Sequence, residues 1–333
     1  MASKPTLVIV SPATRTANNG NWRTAHRWSR FLGERFHVDV RPGWSPADSQ
    51  PRCMIALHAR RSAGALSTFA EACPNHARVL VLTGTDLYRD LAVDVWAQRS
   101  LELATHLVVL QEAAPDELAP RHRRKCRVIY QSAPTRTPGM PPRRTFDVIL
   151  VGHMRPEKDP MTPMRALLRL PADSTVRLVH IGDALDPAYA EAARGLNDRS
   201  WHSMRRYRWL GARPHGETRR RIGTARAMIV SSVMEGGANV IVEAVTAGVP
   251  VLASRIPGNI GMLGADYDGY FTRGDDAELA ELLDRVSRDP AFLAHLASQC
   301  AERAALFDPA REAAEVLRLA DDALAWTHAR STR

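Results

Sequence analysis

Residues 227–254, AMIVSSVMEGGANVIVEAVTAGVPVLAS, decide the fold because they hold two apolar segments with a helical segment between them. The segments AMIVSS and VPVLAS show no polar alternation, which is typical of parallel strands covered on both faces. Between them the pattern predicts a helix that begins near Ala238 or Asn239, directly after Glu235 and two glycines. The stretch therefore predicts a strand, helix and strand of one parallel sheet.

Similar apolar segments alternate with helical patterns along the whole chain. The first half contains TLVIVSP, CMIALHA, RVLVLTG, HLVVLQ and CRVIYQ, and the second half adds FDVILVG and VRLVHIG. Two such series predict an α/β protein with two Rossmann-like domains. Because parallel sheets bind ligands beyond the carboxyl ends of their strands, we expect the two sheets to face a central cleft.

The boundary between the two series is the segment PTRTPGMPPRR, residues 134–144, which has four prolines and one glycine. This composition predicts a linker about which the domains could close. The predicted organisation is an N-terminal domain at 1–133, a linker at 134–144 and a C-terminal domain at 145–307. A final helix at 308–333 could pack back on the N-terminal domain.

The composition indicates a globular protein with no expected membrane partner. Hydrophobic residues make up 45% and charged residues 24% of the chain, and no apolar run approaches the ~18 residues of a membrane span. The N-terminus, MASKPTLVIVSP, lacks the apolar core and cleavage site of a signal peptide, so we expect a cytoplasmic protein. The four scattered cysteines predict neither a zinc site nor a disulfide framework.

The net charge of +9 could indicate nucleic acid or an anionic small substrate. The arginines are dispersed rather than striped, and no zinc finger or aromatic RNA-binding motif is visible, so we expect no nucleic-acid partner. Only three basic residues are lysines, against 42 arginines. A lysine in a glycine-bearing loop, Lys158, is therefore the more informative cation.

The glycine segment before the predicted helix suggests a site for an anion. Backbone amides of residues 236–239 could bind a diphosphate, and glycines would let it approach closely. Glu235 and Glu243 could then each accept hydrogen bonds from a polyol on either side of that diphosphate. The alternative is an ordinary turn in which Glu235 caps the helix and Glu243 is exposed.

Several motifs resemble nucleotide-sugar glycosyltransferases of the GT-B fold, in particular glycosyltransferase family 4. They are the two glutamates eight positions apart, the following AGVPVLAS and GNIGML, and the loop VGHMRPEKDP. In that family an arginine directly after the glycine and a lysine five residues further on bind the donor diphosphate. Lys158 stands in the lysine position, whereas His153 occupies the arginine position and Arg155 follows it. We expect Arg155 to be the better diphosphate partner because its forked guanidinium is always charged.

The resemblance implies roles for a set of residues in the second domain. Glu235 would bind the sugar hydroxyls, Glu243 the ribose, and Lys158 with Arg155 the diphosphate, with Glu235, Arg155 and Lys158 as the catalytic set. The other donor-binding residues that it implies are His153, Arg213, Gly236, Gly237, Ala238, Asn239, Glu243, Gly258, Asn259, Gly261 and Met262.

Further segments make nearly the whole chain similar to the selenosugar synthases of selenoneine biosynthesis. They include ANNGNW, ALHARRSA, TGTDLYRD, IYQSAP and SRIPGNIGMLGADYDGYF. The resemblance implies UDP-N-acetylglucosamine or UDP-glucose as donor, selenophosphate as nucleophile and a 1-seleno sugar as product. Related transferases carry a histidine where this chain has Thr83. An anionic selenium nucleophile needs no general base, so the loss of that histidine is tolerable.

The acceptor would then need cationic and amide donors in the first domain. Arg60 and Arg61 follow a predicted strand, where paired guanidinium groups suit a phosphoryl group. The predicted acceptor-binding residues are Asn19, Gly20, Asn21, Arg60, Arg61, Thr83 and Thr85.

Three other enzyme classes stay open at this point. One is an ordinary family 4-like transferase with a hydroxyl acceptor, and another is a GT-B UDP-sugar epimerase. A metal-dependent transferase of the GT-A type would use an Asp-x-Asp motif, which residues 266–268, DYD, supply. We expect neither a metal nor another cofactor.

Overall fold

A computed structural model describes residues 4–13, 20–48, 50–199 and 206–331. In these residues the chain forms two six-stranded sheets, all of whose pairings are parallel, with helices packed around them. The chain divides into two compact units. The first comprises Met1–Gln131, Glu235–Gly237 and Pro309–Arg333, and the second comprises Ser132–Met234 and Ala238–Asp308.

The first unit is built on a sheet of order β2-β1-β3-β4-β5-β6. Its strands are β1 Thr6–Val10, β2 His37–Arg41, β3 Cys53–Leu57, β4 Ala77–Val81, β5 His106–Val109 and β6 Cys126–Val128. The helices of its continuous part are α1 Gly20–Gly33, α2 Ala63–Ala72, α3 Leu91–Val93, α4 Val95–Leu103 and α5 Pro120–Arg123.

Both faces of the first sheet are buried, as the continuous apolar segments predict. Alternate residues such as Leu7 and Ile55 pack with Trp28 of α1 on one face. Their neighbours, such as Val8 and Met54, pack with α2 and α4 on the other face. Because successive side chains of a strand point to opposite faces, a strand buried on both sides needs apolar residues at every position.

The second unit is built on a sheet of order β12-β11-β10-β7-β8-β9. Its strands are β7 Phe146–Val151, β8 Val176–Ile181, β9 Tyr207–Trp209, β10 Ala227–Val230, β11 Val251–Ser254 and β12 Tyr270–Phe271. Its helices are α6 Met161–Arg169, α7 Pro187–Arg199, α8 His215–Ile222, α9 Asn239–Val245, α10 Pro257–Leu263, α11 Asp276–Arg288 and α12 Pro290–Arg303.

The last helix, α13 Pro309–Ser331, belongs to the first unit, where it packs on the same face as α1. The buried carboxylate of Glu312 accepts hydrogen bonds from Trp28 Nε1 at 2.8 Å and from Arg27 Nε at 2.7 Å. The hydroxyl of Thr327 accepts a hydrogen bond from the backbone nitrogen of Ala77 at 2.9 Å. Polar contacts at both ends thus fix the register of α13 against the sheet.

The strand order shows that each sheet has a switch point, a place where consecutive connections leave in opposite directions along the sheet. In the second sheet the chain leaves β7 toward β8 and β9, then returns to the other side of β7 as β10. In the first sheet the chain leaves β1 toward β2 and returns as β3. Because consecutive crossovers run in opposite directions from such a point, a crevice opens at the carboxyl ends of the two strands.

Residues 134–144, the predicted linker, contain neither a helix nor a strand. Among the described residues, no helix combines the length and the apolar character needed to cross a bilayer.

Candidate functional site

A cleft lies at the switch point of the second sheet, where β7 and β10 end side by side. Its walls are Leu150, Val151, Gly152, His153, Lys158, Pro160, His180, Ile229, Val230, Ser231, Ser232 and Val240. Two of the predicted donor-site residues, His153 and Lys158, therefore meet at the edge of the sheet where such folds bind ligands. This surface is called the β7–β10 cleft below.

The loop that carries Lys158 is anchored to the chain after β10. The hydroxyl of Ser231 donates to the carbonyl oxygens of Lys158 at 3.0 Å and of Asp159 at 2.8 Å. The backbone nitrogen of Val233 donates to the carbonyl oxygen of Glu157 at 2.9 Å. A Cβ atom on Gly152 would lie 3.7 Å from Cγ and from Cδ of Lys158, so the lysine stem passes next to this glycine. The lysine is thus held at the cleft by its own stem and by its loop.

His153, and not Arg155, lines the β7–β10 cleft. The backbone nitrogen of Asp183 donates to His153 Nδ1 at 3.0 Å, so the neutral ring carries its proton on Nε2 and can donate from there. The side chain of Arg155 is 42% exposed, and its Nε lies 4.0 Å from Glu157 Oε2. Arg155 as the better diphosphate partner stays a prediction, since its forked cation is the basis of that expectation and not its position.

His180 supports the wall of the cleft from below. It is almost fully buried, and its Nε2 donates to the carbonyl oxygen of Gly152 at 3.3 Å. The hydroxyl of Tyr207 lies 3.0 Å from Nδ1, to which it can donate. Burial lowers the pKa of His180 to about 4, because the charged ring would lose its hydration. His180 is therefore a neutral structural residue rather than a cation for phosphate.

Glu243 is buried on α9, which begins at Asn239 after an N-cap at Ala238. Only 6% of Glu243 is exposed, and its Oε1 accepts a hydrogen bond from His215 Nε2 at 2.6 Å. This pair could not be predicted from a local pattern, because residues 28 positions apart meet only through the packing of α8 on α9. The alternative of an exposed Glu243 is wrong.

The predicted GNIGM loop is a helix, α10. Gly258, Asn259, Gly261 and Met262 are all buried there, and the Met262 side chain is fully inaccessible. The Asn259 amide donates to the carbonyl oxygen of Ser254 at 2.9 Å, so it closes the turn between β11 and α10. The side chains of Asn259 and Met262 thus pack in the core, and donor binding by the backbone amides of this segment stays a prediction.

Arg213 lies in the segment between β9 and α8, at the carboxyl end of β9. Its Nε is 3.7 Å from Glu217 Oε1, and its Nη1 donates to the carbonyl oxygen of Ala212 at 3.2 Å. It is partly exposed and does not line the β7–β10 cleft.

The segment Glu235–Gly237 groups with the first unit. A Cβ atom on Gly236 would lie 2.4 Å from the carbonyl carbon of Thr83, and one on Gly237 would lie 2.5 Å from the Cβ of Leu110. Both values are far below ordinary contact distances, so close packing alone requires glycine at the two positions. Glu235 is half-buried next to them.

Arg60 and Arg61 follow β3 at the switch point of the first sheet, and both are exposed. Arg60 Nε forms an ion pair with Asp94 Oδ2 at 2.8 Å. Before them, His58 has a left-handed backbone with φ of 73°, although it is not a glycine. Such a conformation is costly for a histidine and is kept only where its surroundings hold it.

The His58 side chain connects the segments that follow β3 and β4. The backbone nitrogen of Arg61 donates to His58 Nδ1 at 3.3 Å, so Nε2 donates to Thr85 Oγ1 at 3.1 Å. Burial lowers the pKa of His58, and the nearby carboxylate of Asp86 opposes that shift. At 2% exposure, His58 positions its neighbours rather than contacting a ligand itself.

Asp86 is a residue that the sequence analysis missed. It is fully buried, and its carboxylate accepts hydrogen bonds from the backbone nitrogens of Ala59 at 2.9 Å, Thr83 at 2.9 Å and Gly84 at 2.8 Å. One carboxylate thus ties together the chain after β3 and the chain after β4. The signal in the sequence was an aspartate three residues after Thr83, a spacing at which Asp commonly accepts from its own backbone.

The last predicted acceptor segment is only partly described. Gly20 and Asn21 form the first turn of α1, where the Thr24 hydroxyl donates to the carbonyl oxygen of Gly20 at 3.0 Å. Asn19 lies outside the described residues.

The Asp-x-Asp triplet is part of the surface rather than of either switch point. Tyr267 is buried, and the carboxylate of Asp268 accepts from His295 Nε2 at 2.7 Å and from Gln299 Nε2 at 3.0 Å. These side chains engage the carboxylate that a metal-dependent transferase would need.

Solved structures share this architecture over nearly their whole length. The HepE protein of Anabaena in complex with UDP matches with a TM-score of 0.76 and 17% identity, over 96% of this chain and 100% of that chain. Sucrose-phosphate synthase from Thermosynechococcus elongatus matches with a TM-score of 0.77 and 17% identity, over 97% and 99%. These likenesses confirm the predicted GT-B fold and overturn the GT-A alternative.

The sequence also matches a protein family directly. The profile of the glycosyl transferases group 1 matches residues 139–306, which is just over half of the 333-residue chain. The matched region holds the β7–β10 cleft, α9 and α10. The chain therefore belongs to the family of group 1 glycosyl transferases.

Proposed function

We propose that the protein transfers a sugar from a UDP-sugar to selenophosphate and so forms a 1-seleno sugar. The observation that carries the donor half is the meeting of Lys158 and His153 in the β7–β10 cleft. The HepE protein has been solved with UDP and with UDP-glucose, which supports a UDP-sugar donor here. The acceptor half depends on the sequence resemblance to selenosugar synthases and on the exposed Arg60 and Arg61 after β3 of the first unit.

In this proposal the nucleotide is bound by the donor-binding residues predicted from the sequence. The Lys158 ammonium and the His153 Nε2–H donate to the diphosphate, and Arg155 can reach it by turning from Glu157. Glu243 accepts from the ribose hydroxyls, and Glu235 accepts from the hydroxyls of the donor sugar. Amides of residues 236–239 complete the contacts to the diphosphate.

The reaction is a substitution at the anomeric carbon of the sugar. The selenium atom of selenophosphate forms a bond to C1, and the bond from C1 to the diphosphate oxygen breaks. UDP leaves with that electron pair, and Lys158 stabilises the charge that develops on it. The anomeric carbon becomes oxocarbenium-like in the transition state. The Glu235 carboxylate, bound to the sugar hydroxyls, would stabilise that positive charge. Loss of phosphate from selenium by hydrolysis then gives the selenol.

The first unit would hold selenophosphate through Arg60, Arg61 and the Thr85 hydroxyl. Thr83 provides no base, and none is needed, because the nucleophile is already anionic. Hydrogen bonds with His58 and to Asp86 fix the loops that carry Arg61, Thr83 and Thr85. No metal takes part in this proposal.

A hydroxyl acceptor is the second candidate, and one observation favours it. Arg60 is already paired with Asp94 at 2.8 Å, and the buried carboxylates of Asp86 and Asp90 lie 4.0 Å and 3.9 Å from the His58 ring. Nearby negative charge weakens the binding of an anion such as selenophosphate but not that of a neutral hydroxyl.

Mass spectrometry of products separates these reactions. The protein is incubated with a panel of UDP-sugars, with selenophosphate or without it, in the presence of EDTA. The proposal predicts UDP release and a seleno sugar only when selenophosphate is present. An epimerised UDP-sugar without any acceptor, or transfer only to a sugar hydroxyl, would contradict it.

Variants test which unit binds the acceptor. Arg61→Ala should raise the KM for selenophosphate by roughly ten-fold or more, while the Kd for UDP stays within two-fold, since it removes a charge-assisted phosphoryl contact. Arg121→Ala, which breaks an exposed pair with Glu102 in the same unit, is the matched control and should change neither value. Wild-type turnover in both Arg60→Ala and Arg61→Ala would exclude this acceptor site.

A further inference from the structure

His215 contacts Glu243, the residue predicted to bind the ribose, and this contact was not predicted from the sequence. It is the first residue of α8, after Pro214, and its ring is 45% exposed. Its Nε2 donates to Glu243 Oε1 at 2.6 Å, although Glu243 itself is almost inaccessible. One end of the pair is thus open to solvent, and the other lies inside the helix packing.

A buried carboxylate needs hydrogen-bond donors, and the kind of donor decides what else it can bind. An arginine would engage both carboxylate oxygens with its fork, whereas a single histidine N–H engages one acceptor position. A carboxylate offers about four acceptor positions, so the histidine contact leaves capacity for ligand hydroxyls.

Two arginines near His215, Arg213 and Arg221, are directed to another acid, Glu217. Arg221 Nε donates to Glu217 Oε1 at 2.9 Å, and Arg213 Nε lies 3.7 Å from the same oxygen. Glu217 therefore holds two guanidinium groups within one turn of His215. The arrangement places these forked cations on Glu217, while His215 donates one N–H to Glu243.

We propose that His215 is a positioning residue that orients the Glu243 carboxylate toward the ribose hydroxyls and so sets the preference for a ribonucleotide over a 2′-deoxyribonucleotide. The inference depends on the donor site of the proposed function. Removing His215 leaves Glu243 in place but lets its carboxylate rotate, which weakens a two-point contact to a diol more than any contact to the diphosphate.

The test compares the Kd values of UDP and 2′-deoxyuridine diphosphate by calorimetry. His215→Ala should weaken UDP binding by roughly ten-fold, while 2′-deoxyuridine diphosphate changes by less than about two-fold. His215→Gln keeps an N–H donor at similar reach and should retain most of the discrimination. Circular dichroism and thermal melting check that each variant is folded.

His295→Ala is the matched control. His295 also donates to a carboxylate at 2.7 Å, that of Asp268, but on the surface of the same unit. The variant should leave both Kd values unchanged.

The outcomes separate the inference from the proposed function. If His215→Ala weakens both nucleotides equally, or weakens neither, the positioning role is overturned while the donor site stands. If the folded wild type binds UDP and its 2′-deoxy analogue equally well, Glu243 does not read the ribose and the inference is also overturned. If the folded wild type binds neither nucleotide, the UDP-sugar proposal itself is wrong.

Discussion

A Cβ atom on Gly182 would lie 1.9 Å from the carbonyl oxygen of Gly152. The loops that follow β7 and β8 are therefore packed backbone against backbone, directly under the β7–β10 cleft. Gly182 also has a φ of 149°, which side-chain-bearing residues rarely adopt. The shape of the cleft depends on this contact, since Gly152 also lies beneath the Lys158 stem and accepts from His180.

Gly182→Ala should therefore destabilise the second unit by at least about 2 kcal/mol and should weaken UDP binding, because the Gly152 loop has to move. Gly195→Ala is the control, since the neighbours of Gly195 among the described residues leave the 4 Å around an added Cβ on α7 open. It should be neutral or stabilising by about 0.5–1 kcal/mol. Urea unfolding measures both, and equal stability of the two variants would contradict the packing argument.

Acid should destabilise the protein partly through His180. Its folded-state pKa of about 4 lies below its ordinary value, so between these values the unfolded chain binds more protons than the folded one. The stability that neutral His180 contributes is present above about pH 6.5 and is lost as the pH falls toward 4, by up to roughly 3 kcal/mol.

His180→Gln has no titrating ring and should flatten the stability curve over this interval. Urea unfolding at a series of pH values from 7.5 to 4.5 measures the slope for both proteins. An unchanged slope in the variant would show that His180 is protonated without cost in the folded state.

Asp86→Asn should cost about 2–4 kcal/mol, because an asparagine has one acceptor oxygen where three backbone nitrogens donate. Asp275→Asn is the control. Asp275 also accepts from two backbone nitrogens, but it is an exposed N-cap of α11, where asparagine serves equally well. Chemical unfolding compares them, and a loss below 1 kcal/mol for Asp86→Asn would contradict the role given to this carboxylate.

Glu312→Ala should destabilise the first unit by roughly 2–4 kcal/mol, since it leaves Arg27 and the Trp28 indole without their shared acceptor. Asp321→Ala removes another acid of α13, whose pair with Arg35 at 2.8 Å is exposed. That loss should stay within about 1 kcal/mol. Similar melting temperatures for the two variants would mean that the buried contacts do not hold α13.

The fold was largely predictable because parallel strands covered on both faces leave a continuous apolar pattern. All nine apolar segments are strands, and α9 begins at the expected Asn239. Strands β2 and β9 were not anticipated. Both strands lie at sheet edges. In β2, polar and apolar residues alternate, and β9 has only three residues, so neither shows the continuous apolar pattern of a buried strand.

The site was predictable where a motif lies in one loop and not where distant segments meet. Lys158 and His153 lie together as their shared loop implies. The pair of His215 and Glu243 and the three amide contacts of Asp86 arise from packing between elements, which no local pattern encodes. Helix α10 was not predicted, because its two glycines are unfavourable inside a helix.

The most direct measurement is a crystal structure of the protein with UDP, together with the UDP affinity of Lys158→Met. The account predicts the diphosphate at the carboxyl ends of β7 and β10, in contact with Lys158, and the ribose within hydrogen-bond distance of Glu243. It also predicts roughly ten-fold weaker binding in the variant, because a charged donor to phosphate is lost. A nucleotide bound elsewhere, or unchanged affinity without Lys158, would contradict it.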